Sequence, residues 1–117
     1  MIHLSDFRQV HCIGIGGIGL SAIAEILLYR GYAVTGSDMR ESDTTERLMS
    51  HGAKIFLGHR AKNVENAELV IYSTAVAKDN PELVRANELG ISTATRVEVF
   101  GLLMGEYENS KIGRAHV

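Results

Sequence analysis

The sequence predicts an α/β domain: an open parallel sheet of about five strands with helices on both faces. Three observations lead there. From Val10 to Gly19 the chain reads V-H-C-I-G-I-G-G-I-G, an apolar run ending in clustered glycines, and helical periodicity follows to Arg30. Strand-like and helix-like segments then alternate to the end, as they must where crossover helices cover a parallel sheet. Finally, three helices close on Gly31, Gly52 and Gly90, and each glycine leads directly into a strand.

In order, Val10, Cys12, Ile13 and Ile15 mark the first strand, and a helix follows from about Gly19 to Arg30. Its apolar stripe is Leu20, Ile23, Ala24 and Leu27. Ala33 to Ser37 forms the second strand, ending at Asp38. Asp43-x-x-Glu46 reads as a capping box that opens a helix through about Ser50. Lys54 to Leu57 is the third strand. Leu69 to Ser73 is the fourth, apolar enough for burial on both faces. Asn80-Pro81-Glu82 starts another helix, with a capping side chain, proline in the first turn and an acid near the positive end of the dipole. Ile91 to Thr93 is the fifth strand, and a last helix covers Val97 to Met104.

Composition narrows the class of function. A chain of 117 residues makes one domain and is small for a complete enzyme with two substrates. A net charge of −2 without a basic stripe gives no footprint for nucleic acid. No apolar run approaches the ~20 residues of a membrane span, and the N-terminus lacks the pattern of a signal peptide. The lone Cys12 excludes an internal disulfide and suits a reducing, cytoplasmic setting. Within its strand, Cys12 reads as a small core residue.

Gly14, Gly16 and Gly19 fit G-x-G-x-x-G, with Gly17 as a fourth glycine and Ile15 and Ile18 between them. By that fingerprint Gly14 permits the tight turn, Gly16 lets a diphosphate approach the main chain, and Gly19 lets the helix pack close to the sheet. Ligands of such sheets bind beyond the carboxyl ends of the strands. That rule selects Gly14 to Gly19, Ser37 and Asp38, Gly58 and His59, and Ser73 to Val76. Asp38 follows Gly19 by nearly the ~20 positions expected of an acid that binds a ribose. His59 is a candidate for a phosphate or a sugar. His3, His11 and His51 show no metal-ligand spacing, and His11 reads as structural. Spacing alone therefore leaves open a cofactor domain of an NAD(P)-dependent oxidoreductase and a non-catalytic nucleotide-sensing module.

The wording of the motifs is more specific than their spacing. H-C-I-G-I-G-G-I-G-L-S-A-I-A-E, G-Y-x-V-x-G-S-D, G-A-x-I-x-x-G-H, S-T-A-V-x-x-D-N-P-E (Ser73 to Glu82) and R-V-E (Arg96 to Glu98) together resemble the N-terminal domain of the Mur ligases. The resemblance runs from Val10 to about Met104, and the glycine wording is closer to the alanine-adding branch than to the murein-tripeptide-adding one. It implies a Rossmann-like domain, residues 1–110, that holds the UDP part of UDP-N-acetylmuramate. Gly14, Ile15, Gly16, Gly17, Ile18 and Gly19 would cradle the diphosphate, and Ser37 and Asp38 would meet the uridine. His59, Ser73, Thr74, Ala75 and Arg96 would line the nucleotide-sugar site. The family reaction belongs to peptidoglycan synthesis. ATP converts the muramoyl carboxylate to an acyl phosphate, magnesium offsets phosphate charge, and the amine of L-alanine attacks to give an amide, ADP and phosphate.

Departures from the family pattern carry their own expectations. No G-x-x-x-x-G-K-[ST] loop for ATP occurs. The chain is therefore expected to be a fragment lacking the central ATP-binding and C-terminal domains, inactive alone, with no catalytic or metal-binding residue and no bound cofactor. Cys12 stands where the family usually has phenylalanine, which implies a small void in the core. Thr95 stands where proline is common, which puts the local geometry in question. The tail K-I-G-R-A-H-V (residues 111–117) matches nothing in the family and resembles the conceptual translation of a sequencing adapter. It is read as non-native and set aside from the fold.

Overall fold

Gln9–Ile13 (β1) lies at the centre of a five-stranded sheet, flanked by Ala33–Asp38 (β2) and Leu69–Tyr72 (β4). Lys54–Leu57 (β3) and Ser92–Thr95 (β5) form the two edges, and every pairing is parallel. This computed structural model describes residues 3–108; the tail read as non-native lies outside the described residues. The strand order β3-β2-β1-β4-β5 reverses direction between β1 and β4. Such a reversal opens a crevice beyond the carboxyl ends of the two central strands.

Alternation along β1 divides the core. Val10 and Cys12 face one side of the sheet, His11 and Ile13 the other. On the first side, Ile18–Tyr29 (α1), Asp43–Ser50 (α2) and Arg96–Glu108 (α4) bury Leu20, Ile23, Leu27, Leu48, Val99 and Leu103. On the second side, Pro81–Glu88 (α3) and the 3-10 turn Ala61–Val64 cover Ile13 and Val70 with Leu83, Ala86 and Val64. Gly31, Gly52 and Gly90 all take positive φ just past a helix end, the conformation their type was expected to supply.

Two helix starts differ in detail from the sequence reading. The capping box of α2 is formed one residue earlier, by Ser42 and Thr45 in place of Asp43 and Glu46. The Ser42 hydroxyl oxygen accepts from the Thr45 N–H (3.2 Å), and the Thr45 hydroxyl oxygen accepts from the Ser42 N–H (2.9 Å). Threonine thereby supplies the return bond for which the pattern expects glutamate. At α4, Thr95 accepts from the Glu98 N–H (3.1 Å), and the Glu98 carboxylate accepts from the Thr95 N–H (2.7 Å). The residue that departs from the family pattern is thus half of a reciprocal cap, and the helix begins at Arg96.

The tightest backbone approach to a side chain is at Gly36, in mid-β2. A Cβ there would overlap Cδ1 of the fully buried Ile15 and stand 2.6 and 2.8 Å from its Cβ and Cγ2. Ile15 leaves β1 and folds back over β2, so only a residue without a side chain fits beneath it. Gly36→Ala should therefore lower stability by about 1–3 kcal/mol, the usual range for overpacking a core. Urea unfolding checks this, and an unchanged midpoint would show that Ile15 moves aside freely.

Candidate functional site

The glycine loop hangs from the end of β2. Gly14 turns the chain at φ 79°, and the N–H groups of Gly14 and Ile15 both donate to the Ser37 carbonyl at 2.8 and 3.0 Å. The Gly17 N–H closes onto the Gly14 carbonyl (3.0 Å). The Gly16 N–H donates to Asp38 Oδ2 at 2.8 Å, while Asp38 Oδ1 accepts from the Met39 N–H at 2.8 Å. A Cβ on Gly16 would lie 2.8 Å from Asp38 Oδ2 and 3.2 Å from Thr45 Cγ2. The approach expected for a diphosphate at Gly16 is therefore taken by an aspartate of this chain. Gly19 differs from expectation too. Its missing side chain makes room for Arg96, whose Cδ would be 2.6 Å from a Cβ there. The close contact with the sheet is made from the loop, by Ile15 over Gly36, and Gly19 instead faces the start of α4.

With Gly14 to Gly17 occupied in this way, the N–H groups of Ile18, Gly19 and Leu20 remain at the N-terminus of α1 with no partner among the described residues. They border a cleft of about 410 Å³ at the reversal point between β1 and β4. Ser73 and Val76 form its far wall, in a turn closed by the Val76 N–H on the Ser73 carbonyl (3.0 Å). Arg96, exposed at the start of α4, lies over the α1 end and makes no ion pair with any described residue. Thr74 and Ala75 are exposed at the tip of the same turn. Unpaired N–H groups, the positive end of a helix dipole and a guanidinium together make an anion site. A larger groove of about 460 Å³, between Glu25, Ile26, Leu28, Tyr29 and His51, has an apolar lining and lies toward the other end of α1, away from the strand ends.

Ser37 and His59 fall into a different arrangement, centred on a residue that sequence reasoning placed only as a helix-dipole acid. Glu82 is fully buried on the α3 side of the sheet. Its Oε1 accepts from His11 Nε2 and from the Ser37 hydroxyl, both at 2.7 Å. Its Oε2 accepts from Asn63 Nδ2 (2.8 Å) and the Arg60 N–H (3.0 Å). His11 Nδ1 lies 2.7 Å from the Thr35 hydroxyl, and His59 Nδ1 lies 2.8 Å from the Ser37 hydroxyl. Burial pushes the Glu82 carboxyl up, but the bonds from His11, Ser37 and Asn63 outweigh it and hold the group below its ordinary value. A histidine inside an otherwise apolar buried strand was the sequence signal for this cluster, since a buried ring needs a polar partner. Which acid would meet it, 71 positions away, was not readable locally.

The predicted site residues thus divide into groups. Gly14, Ile15, Gly16 and Asp38 build the loop, and Gly17, Ile18, Gly19, Ser73 and Arg96 border the cleft. Ser37 is wholly buried, and His59 sits half-buried where β2 and β3 end. Cys12 is fully buried, which pushes its thiol up to about 12 and leaves it inert. Among the described residues, no three His, Cys, Asp or Glu side chains cluster closely enough to hold a metal ion, and no helix is long and apolar enough to cross a membrane.

The model of the Mur ligase family, catalytic domain, matches residues 9–108. The chain is 54% identical over 105 residues to a UDP-N-acetylmuramate–L-alanine ligase of Alkaliphilus metalliredigens, a match covering 90% of this chain and 23% of that protein. It is 55% identical over 97 residues to the ligase of the same description from Sulfurihydrogenibium sp., covering 83% and 21%. Among solved structures, the UDP-N-acetylmuramate–alanine ligase of Thermotoga maritima matches with a TM-score of 0.82 at 37% identity, over 86% of this chain and 23% of that one. The chain therefore spans less than a quarter of the length of these relatives.

The Glu82 cluster makes a pH prediction. Its carboxyl is lower in the folded than in the unfolded chain, so its stabilisation is fully present above the ordinary value of 4.5. That stabilisation is lost as pH falls through the lower folded value. Glu82→Ala should cost about 3–5 kcal/mol at neutral pH, because four donors lose their acceptor in the interior. The variant should also lose less further stability on acidification than the parent. Urea melts at several pH values check both, and parallel pH profiles would show that Glu82 carries none of the acid sensitivity.

Proposed function

The chain belongs to the Mur ligase family, and on that premise we propose that it holds UDP-N-acetylmuramate, by its UDP moiety, for an amide-forming ligase of peptidoglycan synthesis. One observation carries the reading. Three N–H groups of α1 and the Arg96 guanidinium, all without a partner among the described residues, converge on a cleft at the reversal point of the sheet. Each diphosphate oxygen can accept from them, and the helix dipole adds favourable potential at the same end. Arg96 contributes a fixed fork of donors that suits phosphate geometry. The uridine would extend toward Asp38 and His59, which stand at the neighbouring strand ends.

The complete reaction assigned to the relatives by their names, joining L-alanine to UDP-N-acetylmuramate, extends to this protein only through parts of the relatives that these residues do not match. The ATP and magnesium which that reaction is expected to need are proposed to bind in those parts. The sequence has no phosphate loop ending in G-K-[ST], and the described acids and histidines form no metal-ligand group. What this chain does within the reaction is to hold one substrate by the end remote from the chemistry. Binding energy at a remote end is used to orient the reacting carboxylate.

Calorimetry should find UDP or UDP-N-acetylmuramate bound in preference to NAD; tighter binding of NAD would favour the oxidoreductase reading. Arg96→Met should weaken UDP by about 10- to 100-fold, as for loss of a charged hydrogen bond, with little change in thermal midpoint. Gly17, not Gly16, separates binding from folding. Its φ of −66° suits any residue, and an added Cβ meets only the Gly14 carbonyl oxygen, at 3.4 Å. Gly17→Val should therefore stay folded and lose most UDP affinity. A folded Gly17→Val chain that binds UDP normally would place the diphosphate elsewhere. The isolated chain, given ATP, nucleotide sugar and L-alanine, should release no phosphate above a protein-free control.

A further inference from the structure

The hydrogen bonds around Glu82 fix the proton positions of the whole cluster. Every contact of the ionised carboxylate is an acceptor contact, so His11 must present Nε2–H and Ser37 must donate its single hydroxyl proton to Oε1. With that proton committed, the Ser37 oxygen can only accept from His59, at 2.8 Å. His59 Nδ1 therefore carries the hydrogen, and in the neutral ring Nε2 is a bare lone pair. Nε2 bonds no described residue, and it is not among buried polar atoms left without a partner, so it meets solvent. The ring is anchored on one side and open on the other, with its side chain 19% exposed. It stands at the same strand-end edge as Asp38, whose carbonyl accepts from the Gly58 N–H at 2.8 Å.

We propose that Ser37 and Glu82 are positioning residues that lock His59 in the Nδ1–H tautomer, so that its Nε2 serves as a hydrogen-bond acceptor for an O–H or N–H of a bound nucleoside. The inference rests on the reading that the strand-end crevice takes a uridine nucleotide. It adds a specificity rule: the group that meets His59 is a donor, either a ribose hydroxyl or the imide N–H of the pyrimidine. It also explains a buried carboxylate in this place. An acid at Glu82 dictates the direction of each bond out to the surface, whereas a neutral hydroxyl or amide leaves the direction free. A buried charge held by four donors is expensive to assemble, and a fixed proton arrangement at a binding edge is a function suited to it.

Long-range nitrogen–proton NMR of the side chain, at a pH above the ordinary histidine value of about 6.5, reads the tautomer directly in the ligand-free chain. The expected result is His59 with hydrogen on Nδ1, the signal being assigned by its loss in His59→Gln. Hydrogen on Nε2 would overturn the proposal whatever the chain binds. In Ser37→Ala the lock is gone, and the ring should revert toward the Nε2–H form that free imidazole favours. UDP affinity should fall by about tenfold, one hydrogen bond's worth. Unchanged tautomer and affinity in a folded Ser37→Ala chain would contradict the proposal. The donor is identified by comparing UDP with its 2′-deoxy and 3-methyl analogues. Loss of affinity with one of them, absent in His59→Asn, names the group; equal affinity for all three would rule out a donor contact at His59. If UDP itself fails to bind while the tautomer is as expected, the functional reading fails and the lock stands.

Discussion

The last two residues of β2 constrain most of the site. The Ser37 carbonyl takes two N–H groups of the glycine loop, and its hydroxyl donates to a buried carboxylate across the sheet. Asp38 holds a third loop N–H through its side chain and the end of β3 through its carbonyl. Three strand ends and the start of α3 are thus tied at one point. Alternation along the strand makes this possible, because the Ser37 side chain reaches the α3 side while its main chain remains in the plane of the sheet. Loss of the Ser37 hydroxyl removes one of Glu82's four bonds. Loss of Glu82 strands all four donors, which is why the carboxylate is the more costly group to disturb.

This arrangement decides what remains for a ligand. Ser37, Asp38 and the Gly14 carbonyl take the N–H groups from Gly14 to Gly17, and among the described residues the first unsatisfied donors appear one residue later, inside α1. The glycines therefore act chiefly on the protein itself. Gly14 allows the turn, Gly16 admits Asp38, Gly19 admits Arg96, and Gly36 admits Ile15. Of the glycines that border the cleft, Gly17 alone has neither a positive φ nor a side chain in the space of its missing Cβ. A phosphate that reached Gly16 would have to displace a carboxylate of like charge. On the proposed reading, the anion goes to the helix end and Arg96, and the uridine to the edge formed by Asp38 and His59.

Much of the fold was legible in the sequence because the signals were local. Glycine after the first three helices, proline at the first position of α3 and apolar runs at the strands each act within a few residues, and the strand and helix order followed. The capping box of α2 was misplaced by one residue because serine and threonine can close it as well as aspartate and glutamate. The glycine loop was found by its pattern, but the pattern does not say which neighbour each missing side chain makes room for. Glu82 was out of reach for a different reason. Its partners come from β1, β2, the segment after β3 and the turn Ala61–Val64, and no local rule joins positions so far apart in sequence.

We propose that the N-terminus of α1 receives the diphosphate while Asp38 keeps Gly16. Amide NMR of the chain titrated with UDP tests it most directly. The amides of Ile18, Gly19 and Leu20 should shift most and gain protection from exchange, and the Gly16 amide should remain protected with and without ligand. Shifts confined to the groove between Glu25, Ile26 and His51 would place the diphosphate there, and exposure of the Gly16 amide on binding would show that Asp38 gives way to it.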